Sequence, residues 1–204
     1  YHSPSGFLPL GAQIKVGYAP EAVSADSSDK KTDGSIVTAS VAGENATHYQ
    51  LTLAPIDGLS LGADYYTVGQ ETNAYQKQES GNAYAKYTFA NISVGYGKNH
   101  VAPALSNAGT TRFASNAYVY ETDNYGIQFD VNDQLSLSYS MEKSERGLNA
   151  AVAGGARTKI ESEIDYIQAA YTVGGASLGV AIVDADNSDY TSNKEEKKTV
   201  FTIG

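Results

Sequence analysis

The stretch YVYETDNYGIQFDVNDQLSLSYSM at 118–141 constrains the fold more than any other part of the chain. Apolar residues alternate there with small or polar residues on both sides of a short break at Asn132–Gln134. The apolar positions are Ile127, Phe129 and Val131 before the break, and Leu135, Leu137, Tyr139 and Met141 after it. Alternation with a period of two, interrupted by an Asn/Asp turn, predicts a β-hairpin with every apolar side chain on one face.

The same alternation recurs along the chain and predicts about ten strands in all. Besides the hairpin, strands are expected near 10–18, 47–54, 59–65, 83–89, 92–96, 160–173, 178–182 and 199–203. Longer polar loops, including 20–38, 98–116 and 144–156, alternate with short turns at Pro55–Gly58, Ala90–Asn91, Asn132–Gln134 and Gly174–Gly175. Outer-membrane β-barrels segregate short turns from long loops in this way, whereas Greek-key sandwiches have no reason to do so.

One predicted strand breaks the alternation. Ile160, Ile164 and Tyr166 share one face, but Ile167 and the alternate residues after it fall on the other. This change of parity predicts either a β-bulge near Asp165 or an upper half of the strand that lies outside the bilayer.

The polar face of the predicted sheet carries Ser, Gly and Gln rather than the Lys and Glu expected on a soluble sheet. This predicts an all-β, antiparallel transmembrane barrel with lipid on one side and water on the other. Charged residues are 18 % of the chain, against about a quarter in soluble proteins. The chain has no run of about 18 apolar residues, so no transmembrane helix is predicted. The net charge of −9 argues against nucleic acid as a partner, and the lack of Cys excludes disulfides and thiolate metal sites.

Polar-face residues are the candidate functional residues, because charges along a water-filled pore bias its selectivity among ions. The predicted pore-lining residues are Gln13, Lys15, His48, Gln50, Asp64, Lys86, Gln128, Asp130 and Glu142. Aromatic residues on the other face are expected to form girdles at the membrane surfaces. These are Tyr65, Phe89, Tyr96, Phe129, Tyr139 and Phe201.

Two other patterns resemble sites of chemistry. Gly-x-Ser-x-Gly occurs at 58–62 and 175–179, but each match opens a strand after a short turn, and no His follows Ser177. A nucleophile elbow needs a strand-to-helix turn with a later acid and His, so we predict no enzymatic activity. Asp184, Asp186 and Asp189 alternate like calcium ligands but lack the Gly and terminal Glu of an EF-hand. A loop calcium site and a solvated acidic loop both stay open.

The opening YHSPSGF at 1–7 resembles the Tyr-x-Ser-Pro-Ser segment of general bacterial porins, particularly those of alphaproteobacteria. In that family the segment closes a strand just after the constriction loop. The resemblance covers most of the chain as architecture, with this one local motif. It implies a sixteen-stranded, homotrimeric barrel in the bacterial outer membrane that passes small hydrophilic solutes and ions by diffusion. Tyr1–Pro4 would end the sixth strand, and Thr199–Gly204 would be the sixteenth.

The chain departs from the family pattern in two respects. The first strands and the constriction loop are missing, and the last residue is Gly204 rather than an aromatic. We therefore expect the C-terminal portion of a longer porin, with a complete ten-stranded barrel as the alternative. Two other classes stay open. A secreted or surface-layer all-β domain would pair its apolar faces in a core, and a small-barrel outer-membrane enzyme would need clustered acids and His at its external rim.

Overall fold

The computed structural model describes residues 1–20, 43–70, 75–103, 105–106, 117–148 and 158–204. These residues form strands joined by turns, with short 3₁₀ turns at Pro9–Gly11 and Ser188–Tyr190. Within these ranges no helix is long and apolar enough to cross a membrane. The strands are β1 (Gln13–Ala19), β2 (Gly43–Leu53), β3 (Leu59–Gln70), β4 (Tyr75–Gln76), β5 (Gln78–Phe89), β6 (Ile92–Ala102), β7 (Leu105–Ser106), β8 (Ala117–Asp130), β9 (Leu135–Leu148), β10 (Thr158–Val173), β11 (Ala176–Asp186) and β12 (Glu196–Ile203).

Ten of these strands form one sheet in the order β1-β2-β3-β5-β6-β8-β9-β10-β11-β12. Every neighbouring pair is antiparallel, and β4 pairs with β7 in a separate two-stranded sheet. The predicted all-β antiparallel architecture is therefore confirmed, as are the short turns after β2, β5, β8 and β10. Most of the predicted loops at 20–38, 98–116 and 144–156 lies outside the described residues.

The opening segment adds to the sheet beside β1. Backbone hydrogen bonds of 2.7–2.9 Å join Tyr1 to Val16 and Ser3 to Ile14. The intervening His2 forms an antiparallel bridge with β1. The edge of β1 that faces away from β2 is thus partly paired.

The predicted strand at 10–18 is wrong at its start, since β1 begins at Gln13. Leu10 has a φ of 58° and sits inside the 3₁₀ turn that Pro9 opens. A proline has no backbone N–H to contribute to a strand ladder and its ring fixes φ. The Ala12 N–H instead bonds the carbonyl of Pro9 at 3.0 Å, which closes the turn before the strand can start.

Alternate residues of the paired strands define two faces of the sheet. We call the face that carries Ile127 and its neighbour Tyr139 the apolar face, and the face that carries Gln128 and its neighbour Ser138 the polar face. Most exposed large hydrophobic side chains lie on the apolar face, where exposures run from 39 % to 82 %. Buried hydrophobic residues in the described ranges are few and small: Ala12, Ala46, Val68, Val119 and Ala185. The described residues therefore form a single-layer sheet, and none of them builds a core on its apolar side.

The predicted bulge near Asp165 is wrong. β10 pairs with β9 and β11 without an inserted residue anywhere along Thr158–Val173. Ile164 and Tyr166 lie on the polar face, and Ile167 lies on the apolar face. The change of parity marks the point where the apolar face becomes charged, not a defect in the ladder.

Several strands reach further toward the long loops than the alternation predicts. β9 continues to Leu148, past the expected loop start at Ser144, and β5 begins at Gln78 instead of near residue 83. Toward the long loops, ionic side chains pair across β9 and β10 where the apolar alternation stops. Lys143 and Glu163, for example, approach within 2.6 Å across β9 and β10.

Candidate functional site

All of the predicted pore-lining residues fall on the polar face: Gln13, Lys15, His48, Gln50, Asp64, Lys86, Gln128, Asp130 and Glu142. Cross-strand pairing places Lys15, Gln50 and Asp64 in one row. Asn82 continues that row on β5 and donates from Nδ2 to Oδ2 of Asp64 at 2.5 Å. The face of each residue follows from the alternation, while its place along a pore stays a prediction.

Small side chains cover the middle of the polar face. Lys86 pairs with Gly95 on β6, which in turn pairs with Gly126 on β8. Neither glycine has a side chain, so the surface beside Lys86 is open on these two strands. A different glycine is covered: the ring of Tyr84 lies over Gly62, where an added Cβ would come within 2.3 Å of the ring. Tyr84 thus packs on a glycine of the neighbouring strand.

Formal charges balance on the polar face among the side chains that the structure describes. The basic residues are Lys15, Lys86, Arg146 and Lys198, and the acidic residues are Asp64, Asp130, Glu142 and Glu196. The acidic excess of the whole chain therefore lies elsewhere, in the loops and on the apolar face. A net charge read from composition overstates how acidic this face is.

A cluster at the long-loop end of the polar face was missed from the sequence. Tyr190, in the β11–β12 connection, places its hydroxyl 2.5 Å from Oγ of Ser144. Its ring lies 4.9 Å from Cζ of Arg146 and 5.8 Å from the ring of Tyr120. Arg146 Nη2 also donates to the Tyr190 carbonyl at 3.3 Å. Arg146 could have been found by extending the even-numbered face of β9, but Tyr190 lies in a loop, where no period applies.

The predicted girdle residues all lie on the apolar face: Tyr65, Phe89, Tyr96, Phe129, Tyr139 and Phe201. Two tyrosines point their hydroxyls toward the long-loop side. Tyr96 donates to Asp123 and Tyr139 donates to Asp165, each at 2.5 Å. An aromatic body with a hydrogen-bonded polar tip suits a boundary between an apolar and a wet region.

Ionic residues occupy the apolar face beyond these tyrosines, and we call them the charged belt. Ion pairs across neighbouring strands join Lys98 to Asp123 at 3.2 Å and Lys197 to Asp184 at 2.6 Å. Lys159 bridges two carboxylates of the neighbouring strands β8 and β9. The belt comprises Glu79, Lys98, His100, Glu121, Asp123, Lys143, Glu145, Lys159, Glu161, Glu163, Asp165, Asp184, Asp186 and Lys197.

The boundary between the apolar band and the charged belt crosses the sheet obliquely. Tyr65 on β3 is half-exposed and lies at the edge of the apolar band, where its side chain hydrogen-bonds Glu79. Following its row of paired residues across the sheet leads through Gly81, His100, Glu121 and Glu145. One row of the sheet is thus apolar on β3 and charged on β8 and β9.

The short turns shift in the same direction as this boundary. The turns Ala90–Asn91 and Gly174–Gly175 are of equal length. Phe89 is the last paired residue of β5 before the first turn. The row of paired residues that starts at Phe89 reaches Ala169 on β10, four strand spacings away. That residue lies four positions before Val173, which closes the second turn. Successive hairpins are therefore staggered along the strands.

The proposed calcium ligands do not converge. Asp184 and Asp186 lie on β11, and Asp184 pairs with Lys197. Asp189 pairs with Lys194 at 2.5 Å, and the hydrogen bond to Asp189 is the main cause of the raised pKa of Lys194. Within the described ranges no group of three or more acidic or His side chains gathers as a metal would need. Calcium binding here stays a prediction without a formed site.

Comparison with known proteins gives no family assignment. No protein-family model matches the chain, and no curated protein matches it at a significant level.

Proposed function

We propose that this chain forms part of the wall of a porin in the bacterial outer membrane. Small hydrophilic solutes and ions would diffuse through its water-filled channel without any chemical step. The observation that carries the proposal is the contrast between the faces: one exposes large apolar side chains, and the other carries Ser, Gly, Gln and balanced charges.

The size of the apolar face argues against water on that side. Ten strands about 4.8 Å apart with an apolar run about 20 Å long give a patch on the order of 900 Å². The largest apolar patch on a typical soluble monomer is about 300–600 Å². A secreted domain would need a second layer over this face, and no element within the described ranges supplies one. Lipid or a neighbouring subunit would cover it in the proposed porin.

The stagger of the turns supports a tilted barrel wall. If the two-residue turns lie at one level, four residues of stagger over four strand spacings correspond to a tilt of about 35°. Outer-membrane barrels tilt their strands by about 35–45°. The apolar boundary shifts the same way, as it would if both follow the membrane plane. A flat sheet packed in a soluble core gives no reason for turns and apolar boundary to move together.

Strand lengths define where the membrane would end. A tilted strand needs about 9–11 residues to span the bilayer, and β2 to β11, apart from the short β4 and β7, have 11 to 16. The apolar run at 135–141 covers about 17 Å along the normal at a 35° tilt, less than the usual band of about 25 Å. The proposal therefore puts Tyr96 and Tyr139 at the boundary and the charged belt at the depth of the lipid headgroups.

A sheet in lipid must close, because each unpaired backbone group there costs several kcal/mol. The resemblance to porins favours closure with further strands into a larger barrel and assembly into a homotrimer. The mass of the purified protein and of its complex in detergent would measure both. We propose no enzymatic activity for this chain.

Reconstitution into planar lipid bilayers tests the function. The purified protein should need detergent for extraction and should produce discrete conductance steps that scale with salt concentration. With balanced charges on the polar face, selectivity between small cations and anions should be weak. Heat-denatured protein in the same detergent is the control. A protein that stays soluble without detergent and forms no channels would contradict the proposal.

A further inference from the structure

The connection between β11 and β12, residues 187–195, folds back over the polar face. From its origin at β11, Tyr190 reaches Ser144 on β9 and Tyr120 on β8. β8 is three strand spacings from β11, which is about 14 Å. A connection that projected straight out from the strand ends could not make these contacts.

The segment is held by its own hydrogen bonds as well as by Tyr190. Ser188 N–H bonds the Lys194 carbonyl at 2.8 Å, and Asn193 N–H bonds Oδ1 of Asn187 at 2.9 Å. Asn187 also donates from Nδ2 to the carbonyl of Glu161 on β10 at 3.0 Å. These bonds define one conformation for the segment, anchored to the wall strands at both its start and its middle.

Strain in the backbone shows that the segment does not rest in its easiest conformation. Four residues other than Gly have positive φ: Asn187, Asp189, Tyr190 and Asn193, at 49–61°. Asn and Asp tolerate this region, but an aromatic residue there is unusual. Such backbone persists only where surrounding contacts hold it. At Tyr190 those contacts are the stacked Arg146 guanidinium and the Ser144 hydroxyl.

We propose that 187–195 is a fixed, inward-folded segment that narrows the channel at its long-loop end, with Tyr190 as the positioning residue that holds it on the wall. This inference rests on the proposed function. It also makes Arg146 of β9, against which Tyr190 packs, the cation at this level of the polar face. Ions that enter from the long-loop end would pass the Arg146 guanidinium beside the segment before they reach the small residues in the middle of the polar face.

The rate of trypsin cleavage after Lys194 measures how firmly Tyr190 keeps the segment on the wall strands, and it does so without any channel measurement. Cleavage of a folded loop follows its locally open population. Tyr190→Ala removes the ring over Arg146 and the hydroxyl bond, and should speed cleavage about tenfold. Tyr190→Phe keeps the ring and should speed it only about threefold. Ser192→Ala, at an exposed position of the same segment, is the matched control and should cleave at the wild-type rate.

Single-channel conductance of the same full-length variants measures the narrowing. Tyr190→Ala should conduct more than wild type, and Ser192→Ala should not. Unchanged cleavage in Tyr190→Ala would overturn the role of Tyr190. Faster cleavage with unchanged conductance would overturn the narrowing. A wild-type protein without channels would refute the proposed function and the narrowing with it, while the cleavage rates would still decide whether Tyr190 holds the segment.

Discussion

An arginine placed on each face of β8 in turn distinguishes a membrane wall from other single-layer sheets. Ile127 lies on the apolar face, 47 % exposed, between Val94 and Tyr139. Gln128, the next residue, lies on the polar face between Ser93 and Ser138. The two positions are adjacent on one strand and lie at almost the same depth. They present the new charge to opposite faces of the sheet.

The expected costs differ by several kcal/mol. An Arg on the lipid face of a barrel costs about 2–4 kcal/mol near the bilayer midplane and about 0–1 near the interfaces. Ile127 lies four residues from Asp123 of the charged belt and two from the girdle residue Phe129, so a value of about 2–3 kcal/mol is expected. Gln128→Arg keeps its charge in water and should cost less than about 0.5 kcal/mol.

Equilibrium unfolding in denaturant measures both variants in phospholipid vesicles, with Tyr fluorescence as the signal since the chain has no Trp. The expected result is a lower free energy of unfolding for Ile127→Arg and an almost unchanged one for Gln128→Arg. Equal costs for the two would refute the assignment of faces to lipid and water. If the protein folds without lipid and Ile127→Arg is then still destabilised by several kcal/mol, the apolar face is covered by protein and the reasoning fails.

Two further substitutions probe the polar face. Lys86→Glu should shift the reversal potential toward cation selectivity, whereas Lys98→Glu, the same charge change in the belt on the other face, should not; an equal shift in both would contradict the assignment of faces. Gly62→Ala should lower the free energy of unfolding by about 1–3 kcal/mol because the ring of Tyr84 must move. Gly95→Ala, whose Cβ would meet no atom closer than 3.8 Å, should be nearly neutral, and a stable Gly62→Ala would show that the ring does not lie where the structure has it.

The sequence predicted the all-β antiparallel sheet because the alternation and the positions of the short turns agreed. Period-two alternation assigns a residue to a face wherever one side is apolar, and short turns fix the register of each hairpin. Both failures have local causes. At Leu10 the turn opened by Pro9 overrides an apolar alternation that looked like a strand. At Asp165 the alternation ended because the face became ionic, and a pattern of hydrophobicity cannot distinguish that from a bulge.

The candidate site was predictable only where it belongs to a strand. Lys86 and Asp64 follow from parity alone, and Arg146 would have followed had the predicted strand been extended past the loop start at Ser144. Tyr190 could not have been found, because its position depends on how a loop folds back across three strands. The balance of charge on the polar face was also hidden, since composition counts the acidic belt and loops together with the wall.

A depth measurement tests the tilt that the staggered turns imply. Tyr65 and Glu121 lie on the same row of the sheet, three strand spacings apart. In a wall tilted by about 35°, moving about 14 Å across the strands changes the depth by about 8 Å, which places Glu121 nearer to water than Tyr65.

Because the chain has no Cys, spin labels on Tyr65→Cys and Glu121→Cys report these depths through relaxation by oxygen and by a water-soluble nickel complex. Ile182→Cys lies six strand spacings from Tyr65 and six residues nearer the turns, at the edge of the same apolar band, and should match Tyr65→Cys. Equal depths at Tyr65 and Glu121 would mean that the strands stand upright, and the oblique boundary would then need a cause other than the membrane plane.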